Sequence, residues 1–379
     1  MTDFSDLKHK NLEQSKKEAS DGRLFVSSLP CSLYMDLTLK CNLKCPSCFR
    51  QAPENKGKRW PTMDRECFDH VAEELFPSAY RVILSGGGES LLHPHFDYML
   101  EQCLEYQVRP VLYSNALLLK PDRLRILARA GTVLGLSIDS VDPETFEALR
   151  PPARWSRIDE ILDNVSKIRE EIAEPLFFPY FGVVIQRDNL DNLKDIVDYA
   201  ADHGFEVIRF NQLVPYYEGI RDLVPKDEDM AKSYVELLQR ANERKVRVTL
   251  PGIDTGNLKS RIDELRQENE TIPISLDRDN PDRFVIYPRE GVPYCAIPWA
   301  EAMITPDANV AIGCCSGKIM GDLSQESFSQ IWNGYAYWRL RKTVNSKKPL
   351  SFCEPEECPF RFVNREEKTL DDVKGIPSE

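Results

Sequence analysis

The sequence predicts an α/β fold in which parallel strands alternate with helices and curl into a barrel or part-barrel, followed by a smaller domain. Short apolar runs alternate with longer amphipathic runs from Ser32 to about Pro251, a rhythm typical of βαβ units. A length of 379 residues favours two domains over one small core. Five of the eleven cysteines gather near the end of the chain, beyond the alternating region, which places a second domain there.

The barrel domain is predicted over residues 29–251, after a charged arm at residues 1–28 that contains a helical stretch. The candidate strands are Ser32–Leu37, Arg81–Ser85, Arg109–Ser114, Gly135–Ile138, Phe178–Ile185 and Val207–Gln212. The candidate helices are Arg65–Leu75, Pro94–Tyr106, Pro121–Ala130, Asp142–Leu149, Arg157–Ala173, Leu190–His203 and Lys226–Arg244. Right-handed crossovers would curl such a sheet into a barrel or part-barrel. In these architectures ligands bind at the C-terminal ends of the strands, so we expect the site there.

Beyond the barrel we predict a connecting segment at 252–286, a small α+β domain at 287–362 and a charged tail at 363–379. The connecting segment includes a charged helix over Gly256–Thr271 and a Pro/Asn/Asp-rich stretch at Asp277–Arg283. The composition of the tail is typical of a disordered segment.

Composition narrows the class of protein. The net charge of −12 argues against a large nucleic-acid footprint, which needs a basic surface. No apolar run approaches the ~18 residues of a membrane span, and the polar start of the chain lacks the apolar stretch of a secretory signal. Eleven cysteines without an export signal favour the reducing cytoplasm and metal ligation or core packing over disulfides.

Cys41, Cys45 and Cys48 form a C-x3-C-x2-C run at the end of the first candidate strand. A structural zinc site uses four protein ligands, whereas an iron–sulfur cube held by three cysteines leaves one iron open to a small molecule. Taken alone, the run is either such a cluster loop or a zinc knuckle that lacks its fourth ligand.

The spacing resembles the cluster loop of the radical S-adenosylmethionine (SAM) enzymes. The resemblance implies a partial (β/α)6 barrel, a [4Fe–4S] cluster and SAM bound to the open iron. It also implies reductive cleavage of SAM to a 5′-deoxyadenosyl radical that abstracts hydrogen from a substrate. One departure is Ser47, which stands before the third cysteine where the family usually has an aromatic residue; Phe49 comes one residue late.

The ends of the second and third strands carry further motifs of that family. Gly87, Gly88 and Glu89 resemble its glycine-glycine-glutamate motif, which binds the amino group of SAM, and glycines let backbone carbonyls approach an ammonium group. Ser90 stands where proline is usual. Asn115 resembles the asparagine of a threonine-asparagine-glycine segment, and its alternative role is that of a turn residue.

The fourth strand and the helix after it supply three more SAM-binding candidates. Ser137 and Asp139 lie on one face of the strand and resemble a serine-x-aspartate motif that contacts SAM or substrate. Arg150 stands where an arginine often pairs with the SAM carboxylate through bidentate geometry; its alternative is a solvated helix end. The Ile185–Gln186 pair is a candidate to flank the adenine or ribose.

Substrate contacts are expected among the polar residues at strand ends. The candidates are His93, His95, Tyr180, Arg209, Asn211 and Gln212. A histidine in the His-Pro-His turn caps a helix more often than it does chemistry.

The C-terminal cysteines resemble those of the SPASM/twitch domains, which hold auxiliary [4Fe–4S] clusters. The resemblance assigns Cys295, Cys314, Cys353 and Cys358 to one fully ligated auxiliary cluster; a zinc site made by the same four cysteines is the alternative that the spacing alone does not exclude. Cys67 and Cys103 lie in helix patterns and are expected to be structural. Cys315 and Cys31 are candidate hydrogen-atom donors.

The function predicted from these features is a radical SAM oxidation of a small molecule such as a sugar or aminosugar, with the auxiliary cluster as electron acceptor. A 28-residue arm is short for a leader-binding domain, which favours a small substrate over a peptide. The alternatives are a redox-neutral epimerase with a cysteine donor and a maturase of a ribosomally made peptide. A zinc-binding interaction protein is the non-enzymatic alternative. An external reductant such as flavodoxin or ferredoxin is expected, with no nucleic-acid or membrane partner.

Overall fold

The structure, a computed structural model, describes residues 3–174, 176–274, 295–313, 318–346, 348 and 350–353. The chain divides into two compact units. Unit 1 comprises Met1–Leu39, Pro61–Pro110 and Arg278–Glu379, and unit 2 comprises Lys40–Trp60 and Val111–Asp277. Cys314, Cys315, Cys358 and the predicted tail at 363–379 lie outside the described residues.

Strands and helices alternate along the described chain, as the sequence predicted. The strands are β1 (Ser32–Met35), β2 (Arg81–Ile83), β3 (Arg109–Ser114), β4 (Val133–Ser137), β5 (Phe178–Ile185), β6 (Val207–Gln212), β7 (Arg247–Thr249), β8 (Glu301–Ile304), β9 (Asn309–Ala311) and β10 (Ile319–Asp322). The helices are α1 (Ser5–Ser20), α2 (Arg65–Leu75), α3 (Phe96–Glu105), α4 (Pro121–Arg129), α5 (Pro143–Leu149), α6 (Trp155–Ile172), α7 (Leu193–Asp202), α8 (Asp227–Arg244), α9 (Lys259–Glu270), α10 (Ile297–Ala300), α11 (Phe328–Trp332) and α12 (Tyr335–Thr343).

In unit 1, strands from the two ends of the chain share one sheet. β1 pairs in parallel with β2 on one side and with β8 on the other, so Leu33 lies between Val82 and Ala302. β9 runs antiparallel to β8 and to β10. α1 is tied to this unit by Ser15, whose hydroxyl donates to the carbonyl of Trp299 at 2.8 Å. Strand β1, which leads into the three-cysteine loop, is therefore held on both sides.

In unit 2, β3 to β7 form a parallel sheet with two unlike faces. One face is apolar and fully buried; Phe181 on it packs against Phe205, with ring centroids 4.3 Å apart. The opposite face, here called the open face, carries Tyr113, Asn115, Gly135, Ser137, Tyr180, Gly182, Arg209 and Asn211. The alternation follows from the two-residue period of a strand, which aligns polar side chains from several strands.

The predicted α/β class with a parallel sheet is confirmed, and four elements have the predicted bounds. β3, β5, β6 and α2 have the predicted limits. The first two strands are shorter than predicted, because the chain leaves the sheet before its apolar run ends. The sequence analysis missed β7 to β10, since runs of three or four residues carry too little alternation to be recognised. The domain boundaries stay a prediction.

No helix within the described residues is both long enough and apolar enough to cross a membrane. The cytoplasmic location stays a prediction.

Gly135 is needed where Tyr113 and Tyr180 meet over β4. A Cβ on Gly135 would lie 2.7 Å from Cδ1 of Tyr113 and 2.9 Å from the Tyr180 hydroxyl. We expect Gly135→Ala to lower the free energy of unfolding by about 1–3 kcal/mol, because both rings must shift. Chemical denaturation with far-UV circular dichroism measures the change.

Gly182→Ala is the matched control. Gly182 lies on the same face of the neighbouring strand and is paired with Ser137. A Cβ on Gly182 would lie 3.8 Å from the carbonyl oxygen of Leu136, which is an ordinary van der Waals contact. Its unfolding free energy should stay within about 0.5 kcal/mol of the unsubstituted protein. Equal losses in the two variants would contradict the packing account.

Candidate active site

The three-cysteine loop lies in unit 2, where backbone contacts hold its shape. The amide of Cys48 donates to the carbonyl of Cys45 at 3.0 Å, and the amide of Lys44 donates to Pro151 at 2.7 Å. The hydroxyl of Tyr217 donates to the carbonyl of Pro46 at 2.6 Å. The loop is therefore pinned to the segment after α5 and to the segment after β6.

The three thiols are half-buried and interact with one another. Burial raises the pKa of Cys45 to about 11; Arg150 opposes the rise, and Asp139, Cys48 and Cys41 add to it. Burial also raises the pKa of Cys48, with Cys41 adding to the rise. Thiols that raise each other's pKa lie close enough for their thiolate charges to repel, so a bound cation that relieves the repulsion is favoured.

N–H donors surround the first thiol. The sulfur of Cys41 accepts from the amide of Leu43 at 3.4 Å and from the side-chain nitrogen of Asn115 at 3.8 Å. Asn115 also donates to the side-chain oxygen of Asn42 at 2.8 Å. Asn115 thus meets the cysteine loop directly, and its position next to a sulfur is more than that of a turn residue.

The chemistry of the donor set fits an iron–sulfur cluster. Within the described ranges, no group of three His, Cys, Asp or Glu side chains is arranged to hold one metal ion. Three sulfur donors backed by N–H groups suit an iron–sulfur cube, whose potential is tuned by such hydrogen bonds. The loop fits a [4Fe–4S] cluster.

Asp139 and Arg150 form a buried ion pair beside that loop. Nη2 of Arg150 lies 2.6 Å from Oδ2 of Asp139, and the two side chains are 11% and 5% exposed. Burial lowers the pKa of Arg150, but Asp139 and the thiols of Cys45 and Cys41 more than offset it, so its net shift is upward. Asp139 and Arg150, both predicted from the sequence as SAM-binding residues, therefore form an ion pair with each other.

Other backbone and side-chain groups fix Asp139 in place. Its Oδ1 accepts from the amide of Val184 at 2.8 Å, and Asn189 donates to its carbonyl at 2.7 Å. Asn189 also accepts from the amide of Gln186 at 2.8 Å. The sequence analysis missed Asn189; the only signal was a Gln-x-x-Asn capping pattern after β5.

Two buried donors at this end of the sheet have no hydrogen-bond partner among the residues that the structure describes. They are Nε of Arg150 and Nε2 of Gln186. A buried donor without a partner costs about 1–3 kcal/mol, so a ligand with acceptor atoms would recover that free energy. A guanidinium already fixed by Asp139 suits a carboxylate.

The glycine-rich loop lies in unit 1 and is organised by Asp36. A Cβ on Gly86 would come within 2.1 Å of Oδ1 of Asp36, so only glycine fits there. The amide of Gly87 donates to Oδ2 of Asp36 at 3.2 Å. Glu89 is buried, and its carboxylate accepts from the amide of Leu91 at 3.3 Å. Sequence reasoning missed Asp36, which carries no motif of its own.

The carboxyl group of Asp36 is buried. Within the described part of the chain, its Oδ1 has no hydrogen-bond partner. Burial raises the pKa of Asp36 to about 6, and the bond from Gly87 only partly opposes the rise. The neutral and ionised forms of Asp36 are therefore both populated near pH 6.

The other candidate residues fall into structural and exposed groups. The ring of His93 is buried, with Nε2 2.8 Å from the carbonyl of Met63 and Nδ1 accepting from the amide of His95 at 3.2 Å. His93 therefore holds the turn. At the end of β6, Arg209, Asn211 and Gln212 are exposed, and Arg209 lies over the ring of Tyr180 at 4.5 Å.

The remaining cysteines differ in position. Cys31 and Cys103 are fully buried, and burial raises the pKa of Cys31 to about 12. Cys31 precedes β1, at the amino end of the strand, whereas the cysteine loop follows its carboxyl end. This position does not suit the predicted role of Cys31 as a hydrogen donor. Cys295 is bonded through its backbone to the side chain of Asn345, and Cys353 is half-buried.

Two families match the chain. Residues 35–200 match the Radical SAM superfamily, and residues 295–359 match SPASM, an iron–sulfur cluster-binding domain. The first match contains the three-cysteine loop, Asp139 and Arg150. The second contains all four cysteines predicted to hold an auxiliary cluster.

Individual relatives extend over both regions. The antilisterial bacteriocin subtilosin biosynthesis protein AlbA of Bacillus subtilis is 22% identical over 366 residues, which are 93% of this chain and 72% of AlbA. The AdoMet-dependent heme synthase of Methanosarcina barkeri is 21% identical, with 87% and 90% covered. Streptococcus suis SuiB bound to its precursor peptide SuiA has a TM-score of 0.59 at 16% identity, with 94% and 74% covered, and it shares the fold.

Replacing Asp36 should change how stability depends on pH. The pKa of Asp36 is higher in the folded protein than in the unfolded chain, so the folded state holds the extra proton between about pH 4 and pH 6. Stability should fall as pH rises through that window. Asp36→Asn should remove this fall and be more stable by about 2–3 kcal/mol above pH 6.

Thermal midpoints of the reconstituted protein at several pH values measure the effect. Asp263→Asn, at an exposed position on α9, is the matched control and should follow the unsubstituted protein. A variant at Asp36 with the same pH profile as the control would contradict the burial account.

Proposed function

We propose that this chain, a member of the radical SAM superfamily with a C-terminal SPASM domain, is a maturase that oxidises a ribosomally made peptide. One observation carries the chemistry. Cys41, Cys45 and Cys48 lie half-buried in one unit, interact electrostatically and adjoin a buried arginine with a donor to spare. Three thiolates beside an unpaired cationic donor suit a cluster whose open iron takes SAM.

We assign the SAM-cleaving cluster to Cys41, Cys45 and Cys48. When bound, the cluster and SAM supply a 5′-deoxyadenosyl radical that abstracts a hydrogen atom. Asn115 donates to the sulfur of Cys41 and holds the loop in place. Arg150, oriented by Asp139, presents Nε for the SAM carboxylate.

We assign the amino group of SAM to the glycine-rich loop of unit 1. Glycine at 86 lets the carboxylate of Asp36 hold the loop, and Asp36 accepts from Gly87. Gly87, Gly88 and Glu89 are the proposed contacts within that unit. Ser137, on the open face of unit 2, is a separate candidate to contact SAM or substrate. The protein's own part is to bind and orient; the cofactors carry the bond-breaking chemistry.

The SPASM domain suits a role in oxidation. We propose that Cys295, Cys314, Cys353 and Cys358 hold one auxiliary [4Fe–4S] cluster, since four cysteines ligate one cube fully. Such a cluster would supply an electron acceptor for the oxidation of the substrate radical. An external flavodoxin or ferredoxin would supply the electron for SAM cleavage.

A peptide substrate is favoured over the small molecule predicted from the sequence. AlbA, whose name refers to the biosynthesis of a bacteriocin, matches across both the barrel region and the SPASM region. The short N-terminal arm was the argument for a small substrate, and a leader-binding partner on a separate chain removes it. The exposed polar groups at the end of β6 also offer contacts for an extended chain.

A small-molecule oxidation is the second candidate. The match to a heme synthase, which covers 90% of that protein, favours it. An epimerase would need a thiol near the substrate. Cys31 lies at the amino end of β1, whereas the cysteine loop follows the carboxyl end of that strand.

Deuterium transfer tests the proposed function. The reconstituted protein, SAM and a chemical reductant are incubated with short precursor peptides encoded beside its gene, each with one residue type deuterated. We expect deuterium in 5′-deoxyadenosine and a peptide that has lost that deuterium atom and one further hydrogen, because the oxidation removes two hydrogen atoms. Mass spectrometry of both products reads the result.

Two controls keep that outcome specific. Cys45→Ser should abolish both products, whereas Cys67→Ala, at a half-buried helical position, should retain them. Deoxyadenosine without deuterium from any peptide, together with deuterium transfer from a labelled sugar or tetrapyrrole, would replace the peptide by a small substrate.

A further inference from the structure

Arg209 lies on the open face of unit 2, where the structure describes no acidic partner for it. Its side chain is exposed, and its guanidinium lies 4.5 Å from the ring centroid of Tyr180. Nη1 donates to the Tyr180 hydroxyl at 3.4 Å. Among the described residues, no carboxylate lies within ion-pair distance of Arg209, although many exposed arginines of this acidic chain are paired, such as Arg240 with Asp198.

Arg209 rests on a rigid base. Tyr180 is 1% exposed and shares a side-chain hydrogen bond with Tyr113 on the other side of β4. The two rings meet over Gly135, where any larger residue would collide with them. Burial raises the pKa of Tyr180, so its hydroxyl stays neutral. Tyr180 thus holds the guanidinium of Arg209 in place on one side, while the side chain remains exposed to solvent.

The position is on the same face as the proposed SAM contacts. Asn115 follows Tyr113 by two residues and Ser137 follows Gly135 by two residues, so all four point the same way. Gly182, the register partner of Arg209 on β5, leaves space beside it. Asn211, two residues after Arg209, is exposed and adds an amide on the same side.

The guanidinium of Arg209 is suited to bind an anion through two N–H groups. It stacks on a tyrosine ring, and no described carboxylate pairs with it. Stacking leaves the N–H groups at the edge available, and fixing the side chain reduces the entropy lost on binding. Arginine binds carboxylates and phosphates through two parallel N–H···O bonds. A neighbouring amide suits a peptide backbone.

We infer that Arg209, held by Tyr180 and Tyr113, binds a carboxylate of the peptide substrate and so selects precursors with an acidic residue near the modified site. Asn211 contacts the backbone next to that residue. This inference rests on the proposed function and names the substrate feature that its site recognises.

Arginine footprinting of the full reconstituted protein tests the inference. The protein with SAM is treated with p-hydroxyphenylglyoxal, and modified arginines are mapped by mass spectrometry. The probes are an acetylated, amidated pentapeptide Ala-Ala-Glu-Ala-Ala, the same peptide with a central Gln, and inorganic phosphate at equal ionic strength. We expect the Glu peptide to slow modification of Arg209 about threefold or more relative to the Gln peptide.

Arg129, exposed at the end of α4, is the internal control and should be modified at the same rate throughout. Equal protection by the Glu and Gln peptides, or none by either, would overturn the inference. Protection by phosphate as strong as that by the Glu peptide would reassign the site to a small anion and overturn the peptide carboxylate.

Variants give a second reading. Saturation-transfer NMR should detect the Glu peptide on the unsubstituted protein and on Arg129→Gln, and should lose most of that signal on Arg209→Gln. Arg209→Lys should retain part of it, because the charge remains and the fork is lost. Neither measurement needs turnover, so failure of SAM cleavage would count against the proposed function alone.

Discussion

The buried ion pair between Asp139 and Arg150 is the contact on which the active site of unit 2 depends. It joins Asp139, two residues after β4, to Arg150, which directly follows α5. Asp139 also accepts from the amide of Val184 on β5. Because the pair adjoins Cys45, it sets the charge beside the cysteine loop. Removing one partner would leave an uncompensated buried charge, at a cost of about 3–5 kcal/mol. That cost keeps Arg150 in the position from which its Nε can meet a ligand.

The two faces of the unit 2 sheet divide stability from function. Fully buried residues such as Phe181 and Ile208 pack on one face. The open face bears groups that do not serve packing, among them exposed Arg209 and the unpaired donor of Gln186. A buried donor without a partner is costly in a fold, so the buried donors of Arg150 and Gln186 that lack a partner within the described residues are an indication of a ligand site.

The sequence predicted the α/β class, most barrel elements and the residues of the cysteine loop, because long periodic segments and short motifs are local signals. It did not predict that Asp139 and Arg150 pair, since a contact between a strand end and a helix end is a tertiary feature. Asn189 and Asp36 were missed for the same reason: Asn189 donates to the carbonyl of Asp139 and Asp36 accepts from the amide of Gly87, and only the folded chain brings these groups together. The short strands β8 to β10, which join β1 in unit 1, lack a readable period.

The most direct test is the iron and sulfide content of the anaerobically reconstituted protein, measured with reductive SAM cleavage. The comparison is between the unsubstituted protein, a Cys41/Cys45/Cys48→Ala triple variant and Cys103→Ala as a buried control. The account predicts about eight irons in the unsubstituted protein and the control, falling to about four in the triple variant, with deoxyadenosine formation lost only there. SAM cleavage retained by the triple variant, or an unchanged iron content, would contradict the assignment of the three cysteines to the SAM-cleaving cluster.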